Sequence, residues 1–376
     1  MVKRKDLFFI FRYYFLSRLI IFLLSIAAIN LFSFNPTYPY WQSDLQPYAS
    51  RYVWSWGAFD GAHYIRLARD GYKSAFTEAF FPFYPFIIRL LNILVDNYLI
   101  AGLLISNICF ILFLVILYKI LKKQFCIEVA QETIKLYVFF PTSFLLNSLY
   151  TEPLFLLLTI LSFYFLINRK WLFSSLFSGL STATRLVGIS VGGAIIAKWL
   201  KEYKINNIKI LIRGIVYSCT SFLGIFFYMF FLNNKFAYPF AFFNAMALWQ
   251  KDKPVFFFQT FFRYLKMLFD FSLPFETYFV VLFEFITALL FLYLFIIGFS
   301  KLKIYYIVYS FIAFILSISS GTFSSLPRYV LSLFPLFVVL AILLNKNKKL
   351  KCIYYIFSTL FLTISVILFI KGNFIA

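Results

Sequence analysis

The stretch Tyr98-Leu-Ile-Ala-Gly-Leu-Leu-Ile-Ser-Asn-Ile-Cys-Phe-Ile-Leu-Phe-Leu-Val-Ile-Leu-Tyr118 carries no charge and no proline. About 20 apolar residues in a helix cross the hydrocarbon core of a bilayer, so this run reads as a membrane-spanning helix. The runs 278–299 and 351–370 read the same way. Composition agrees. Of the 376 residues, 63% are hydrophobic and 13% charged, roughly half the charged share of an ordinary soluble chain. The expected fold class is therefore an all-α integral membrane protein. The chain reads as a single polytopic domain over 1–376, with no internal repeat and no flexible linker.

The N-terminus begins with Lys3, Arg4 and Lys5 and runs apolar to about Phe34. Basic residues before an apolar core can mark a signal peptide, but this core is too long and no small-x-small site follows, so it is expected to stay as a first span. Cys109, Cys126, Cys219 and Cys352 form no CxxC pair, which argues against a disulfide framework or a zinc site. His63 is the sole histidine, which excludes a multi-histidine metal cluster. The net charge of +21 could suggest nucleic acid as a partner. The basic residues sit beside apolar runs, however, where they hold cytoplasmic turns in place, so no nucleic acid is expected.

Candidate spans fall at about 9–34, 98–118, 134–149, 153–168, 208–232, 278–299, 304–320, 329–344 and 352–370. Two segments decide the topology. Phe80–Val95 is apolar but short and contains Pro82 and Pro85. If it spans, Lys119, Lys122, Lys123, Arg169 and Lys170 fall outside, against the positive-inside tendency. If it dips in and returns, they fall inside. Residues 171–200, roughly 45 Å as one helix, are then two half-spans with Arg185 at their outer turn. This predicts about eleven crossings, with the N-terminus cytoplasmic. Two long extracytoplasmic loops result, at about 35–97 and 233–278, and loops of that length are usually functional.

The densest polar cluster is Trp56-Gly-Ala-Phe-Asp60-Gly-Ala-His63-Tyr64-Ile-Arg66-Leu-Ala-Arg69-Asp70-Gly71-Tyr72. Its spacing predicts an interfacial helix over 61–70, N-capped by Asp60 and ended by Gly71. Asp60 could equally accept a proton from a hydroxyl at the membrane surface, and His63, one turn on, could share that site. The run Phe80-Phe81-Pro82-Phe83-Tyr84-Pro85 suits a rigid turn, either anchoring in the interface or forming a wall against a lipid chain. Glu152, in Tyr150-Thr151-Glu152-Pro153, sits where a helix begins, so capping is its simplest role. Arg185 and Arg328 lie at outer membrane ends, where guanidinium can fork onto a phosphate or simply snorkel. Neither a P-loop, a GxGxxG turn, a HExxH site nor a GxSxG elbow is present, and no DxD pair lies near Asp60. A metal site is not expected.

At these residues the chain resembles the PIG-V-like mannosyltransferases, multi-spanning glycosyltransferases of the GT-C class. The resemblance rests on Phe59-Asp60-Gly61-Ala62-His63-Tyr64 with Gly71-Tyr72, then Phe80-Phe81-Pro82-Phe83-Tyr84-Pro85. Tyr150-Thr151-Glu152-Pro153-Leu154-Phe155, Arg185-Leu186-Val187-Gly188 and Pro327-Arg328-Tyr329 follow in the family's order. Phe59 departs from the tryptophan usual before the aspartate. The resemblance implies about 11 transmembrane helices of GT-C type with a long, helical first extracytoplasmic loop. It also implies inverting transfer from a polyprenyl or dolichyl phosphate mannose donor to a glycolipid, protein or glycan acceptor outside the cytoplasm. Asp60 would then be the base, and Arg185 or Arg328 would hold the donor phosphate. His63, Tyr64 and Glu152 complete the expected substrate-binding set. No cofactor beyond the lipid-linked donor is implied.

A transporter or lipid flippase is the alternative. Such a protein should place charges near mid-membrane and often shows repeated halves. Only Glu284 and Arg18 fit that description. A non-catalytic assembly partner is a third reading, and it should tolerate loss of Asp60. Reporter fusions at Lys123 and Arg169 are expected to read cytoplasmic. An outside signal at either would overturn the re-entrant assignment of Phe80–Val95.

Overall fold

The computed structural model describes residues 3–74, 76–204, 207–249 and 255–375. Its longer helices are α1 (Arg4–Leu31), α2 (Asp60–Asp70), α3 (Phe83–Val95), α4 (Tyr98–Gln124) and α5 (Ile127–Phe139). Next come α6 (Glu152–Ile167), α7 (Trp171–Thr182), α8 (Ile189–Glu202), α9 (Ile208–Phe236) and α10 (Phe257–Leu268). The last are α11 (Phe275–Gly298), α12 (Ile304–Ile318), α13 (Phe334–Lys346) and α14 (Lys348–Lys371). No strand occurs among the described residues. Five helices, α1, α4, α9, α11 and α14, are each long and apolar enough to cross a membrane. A sixth span arises if Leu326–Ser332 and α13, which meet at 90°, count together. The protein is an all-α integral membrane protein.

Basic turns gather at one end of the bundle. Lys122 pairs with Asp6 at 2.7 Å, which joins the start of α1 to the end of α4. Lys123 donates to Asn168 at 3.2 Å, and Arg169 pairs with Glu202 at 3.2 Å. Lys351, at the start of α14, pairs with Glu132 at 2.5 Å. The rings of Trp171 and Trp199 meet at 4.9 Å at this same end. Helices α7 and α8 therefore form a hairpin, and Arg185 lies in the turn at its far tip.

Helix α3 stays at that far end. The Tyr84 hydroxyl, near its start, bonds Ser106 at 2.9 Å and the Gly102 carbonyl at 3.3 Å, within the first turns of α4. The Phe83 N–H donates to the Ala183 carbonyl beside Arg185 at 3.1 Å. At the other end of α3, Asn97 donates to the Tyr48 carbonyl in the first loop at 2.9 Å. Pro82 precedes the helix and Pro85 sits in its first turn, where a missing N–H costs nothing.

One expected span has the wrong bounds. Apolarity placed a helix over 134–149, but α5 ends at Phe139, and 140–151 runs as short turns, buried except at the half-buried Asn147. Pro141 cannot donate to continue the helix. The buried backbone finds partners elsewhere: Leu149 N–H donates to the Trp56 carbonyl at 2.9 Å, and Ser106 donates to the Tyr150 carbonyl at 3.4 Å. Arg18 is also absorbed here, its guanidinium donating to the Ser143 carbonyl at 3.4 Å. This segment is a shelf beneath the first loop.

Helix α9 is mostly exposed along its length and attaches through small residues. A methyl at Gly224 would run into the Gly179 carbonyl and reach within 2.5 Å of the Ala183 nitrogen. Across this contact Thr182 Oγ1 accepts from the Ile225 N–H at 3.2 Å. Close backbone approach through glycine is how helices associate without a hydrophobic driving force. Gly224→Val is expected to cost about 1–3 kcal/mol, read as a lower melting temperature of the purified protein in detergent. An unchanged melting temperature would contradict the close crossing.

Candidate active site

The first loop delivers Asp60 through a strained residue. Phe59 has φ 59° and ψ −115°, a region a bulky side chain rarely adopts, at a cost of about 1–3 kcal/mol. Its ring is boxed by Tyr38 at 4.4 Å, Phe374 at 5.5 Å and Phe369 at 5.6 Å. The Tyr150 hydroxyl holds the Ala58 carbonyl at 3.2 Å. Phe59 thus occupies the cap position, and Asp60 becomes the first residue of α2. The expected N-capping role of Asp60 fails for this reason: Phe59 is the cap and no side-chain cap bond forms. Instead its Oδ2 accepts from Arg328 Nη1 at 2.6 Å. Gly61 lets α2 approach the shelf closely, since a Cβ there would sit 3.2 Å from the Leu149 carbonyl oxygen. Gly71, at φ 72°, ends the helix as its position predicts.

The charged face of α2 serves the loop rather than the site. Arg66 and Arg69 reach the buried Asp44 at 2.5 and 3.1 Å, and Arg69 also pairs with Asp70 at 2.8 Å. Tyr64 packs inward, with its ring edge-on to Phe80 and Tyr84, both at 5.1 Å.

Glu152 opens α6 and sits behind the arginines. Its Oε1 accepts from Arg185 Nη1 and lies 3.2 Å from Arg328 Nε. Arg185 also donates to Thr151 Oγ1 at 3.3 Å. The Tyr329 ring lies 5.4 Å from the Arg185 guanidinium and 5.2 Å from that of Arg328. The result is a continuous chain of charge, Asp60–Arg328–Glu152–Arg185. The Glu152 and Arg328 side chains are 6% and 8% exposed, while Arg185 and Asp60 reach 17% and 19%. Asp60, Arg185 and Arg328 reach the open space beside them, and Glu152 orients the two arginines from behind.

That space is a cavity of 620 Å³. Asp60, Tyr64, Arg185 and Arg328 line it. Phe80, Phe81, Leu186, Val187, Phe242 and Trp249 supply an apolar wall, and Thr184, Ser317, Ser320 and Ser325 supply hydroxyls. Neither Glu152 nor His63 is on the wall. His63 stacks on Phe80 at 4.9 Å and meets Trp249 edge-on at 6.5 Å, so it braces two rings that are.

The sequence offered a signal for the hydroxyl wall that went unused. Residues 317–325 read Ser-Ile-Ser-Ser-Gly-Thr-Phe-Ser-Ser, a cluster of hydroxyls leading directly into Pro327-Arg328-Tyr329. Asp44, the shared partner of two arginines, had no local signal, because Arg66 lies 22 residues away.

Burial pushes His63 below its ordinary 6.5, against the opposing pull of the Asp60 charge. As pH falls through 6.5 the unfolded chain takes up this proton first, so stability declines with falling pH in that window. The His63→Phe variant, which keeps a ring against Phe80, should lose less melting temperature than the parent between about pH 7 and pH 5. Equal losses would remove His63 as the titrating group.

The family model "Mannosyltransferase (PIG-V)" matches residues 4–245, more than half of the chain. The match includes Asp60, His63, Tyr64, Glu152 and Arg185, while Arg328 lies beyond it. No curated protein matches the chain. The family supports a glycosyltransferase activity, the transfer of mannose to an acceptor. With the ordered motifs now gathered around one cavity at one end of an apolar bundle, the chain belongs to the PIG-V mannosyltransferase family.

Proposed function

We propose that this protein is an inverting mannosyltransferase that moves mannose from a polyprenyl or dolichyl phosphate to an acceptor hydroxyl on the extracytoplasmic face. The observation that carries this reading is the convergence of one carboxylate, Asp60, and two guanidiniums, Arg185 and Arg328, on a single cavity with an apolar wall. A phosphate leaving group needs fixed positive charge, and guanidinium supplies it in a planar fork. The aromatic and aliphatic wall suits the first isoprene units, and the hydroxyls suit a sugar.

In the reaction, the acceptor oxygen forms a bond to the sugar C1 as the C1–O bond to phosphate breaks. The bonding pair leaves on the phosphate, which Arg328 and Arg185 hold, and the acceptor proton passes to Asp60. Arg328 donates to Asp60 Oδ2 at 2.6 Å. A donor phosphate competing for that guanidinium frees Oδ2 to accept from the incoming hydroxyl. Glu152 keeps both guanidiniums aimed throughout, and His63 and Tyr64 support the wall from α2. Asp60 and Glu152 each face arginine rather than one another, and the reading includes no metal.

The topology proposed with this chemistry is of GT-C type, with about eleven crossings counting the shorter helices α5, α6, α7, α8, α12 and the bent α13 pair. The basic end would face the cytoplasm and the cavity the other side.

Asp60→Asn is expected to lower transfer from a radiolabelled polyprenyl phosphate mannose by about 10²-fold or more. Normal transfer by that variant would remove Asp60 as the base. EDTA should leave the rate unchanged, and a rate lost to EDTA and restored by a divalent cation would sink the metal-free reading.

A further inference from the structure

Glu284, in the apolar middle of α11, is 2% exposed, and the transferase chemistry above leaves it unused. Its Oε1 accepts from the Ser325 backbone N–H at 3.0 Å. Its Oε2 accepts from the Tyr264 hydroxyl at 2.6 Å, and that hydroxyl lies 3.1 Å from Thr322 Oγ1. Ser325 has φ 68° and reverses the chain just before the turn that carries Arg328. The Arg328 N–H in turn donates to the Ser325 carbonyl at 3.0 Å.

The rest of this turn is held by neutral hydroxyls. Thr142 donates to the Pro327 carbonyl at 2.6 Å, Tyr137 to the Leu331 carbonyl at 2.8 Å, and Tyr309 to the Ser332 carbonyl at 2.7 Å. Those contacts fix the far side of the turn. Its entry, where the backbone is in the left-handed region, rests on the Glu284 carboxylate. Burying a carboxylate is costly unless its oxygens are used, and here Oε1 holds the loop backbone at Ser325 while Oε2 holds Tyr264 of α10, whose hydroxyl lies beside Thr322 of the same loop.

We infer that Glu284 is a positioning residue for the donor phosphate: by holding Ser325 it sets the direction in which Arg328 points its guanidinium into the cavity. The inference rests on the proposed phosphate role of Arg328 and adds a residue outside the cavity wall to it. It also accounts for an intramembrane acid without invoking transport.

The test compares binding of farnesyl phosphate and farnesol to the purified full-length protein in nanodiscs. A parent protein with no preference for the phosphate overturns the donor-phosphate reading itself, before any variant is compared. Given that preference, Glu284→Met should weaken farnesyl phosphate binding roughly tenfold and leave farnesol binding unchanged. Glu284→Gln, which still offers an acceptor to Ser325, should restore most of the loss. In an Arg328→Ala background Glu284→Met should have no further effect, because the two residues act as one unit. A folded Glu284→Met protein with the parental preference overturns the inference, and so does a Glu284→Gln protein as impaired as Glu284→Met. Should Glu284→Met fail to fold, Tyr264→Phe carries the test: a reduced phosphate preference supports the inference, and an unchanged one overturns it.

Discussion

Two carboxylates and two guanidiniums, buried at Glu152 and Arg328 and half-buried at Asp60 and Arg185, must neutralise each other at one end of an apolar bundle. An unpaired charge in such a place costs several kcal/mol, roughly the scale of a domain's whole stability. Asp60, Glu152, Arg185 and Arg328 come from separate segments of the chain, yet all lie within a few ångströms of one another. The fold's irregular features follow from that requirement. The strained backbone at Phe59 aims Asp60, the break between α7 and α8 presents Arg185, and the 90° bend before α13 presents Arg328.

The same four groups contribute geometry more than stability. A buried ion pair is weak evidence of a stabilising interaction, because desolvation offsets most of the attraction. Its value lies in geometry. Glu152 takes one arginine on each side and leaves their remaining N–H groups toward the cavity. Arg328 donates to Asp60, and both line the cavity. Charges elsewhere in the bundle play a different part. Asp6 with Lys122 and Glu132 with Lys351 tie helix ends together at the opposite end, far from the cavity.

Much of the helical framework was legible in the sequence, because a run of some 20 apolar residues has few other fates. The hairpin at Arg185 was also legible, since a single helix over 171–200 would overshoot the bilayer and strand a guanidinium in it. Residues 140–151 were not. They are as apolar as a span, but they form a buried shelf whose backbone partners lie in the first loop and on α4. Hydropathy reports that a segment avoids water; it does not report where its N–H and C=O groups find partners.

The sequence alone determined that this is a helical membrane protein and which motifs carry its polar residues, and it made Asp60, Arg185 and Arg328 candidates for a site. Those are properties of local composition and spacing. Tertiary structure decided that Asp60 faces an arginine instead of capping its own helix, that Glu152 stands behind the site, and that His63 braces its aromatic wall. It also decided that Glu284 serves the Arg328 turn. The physical reason is range. A charge's role is set by the partner that neutralises it, and Arg328 finds Asp60 across 268 residues of chain, a pairing that no local pattern encodes.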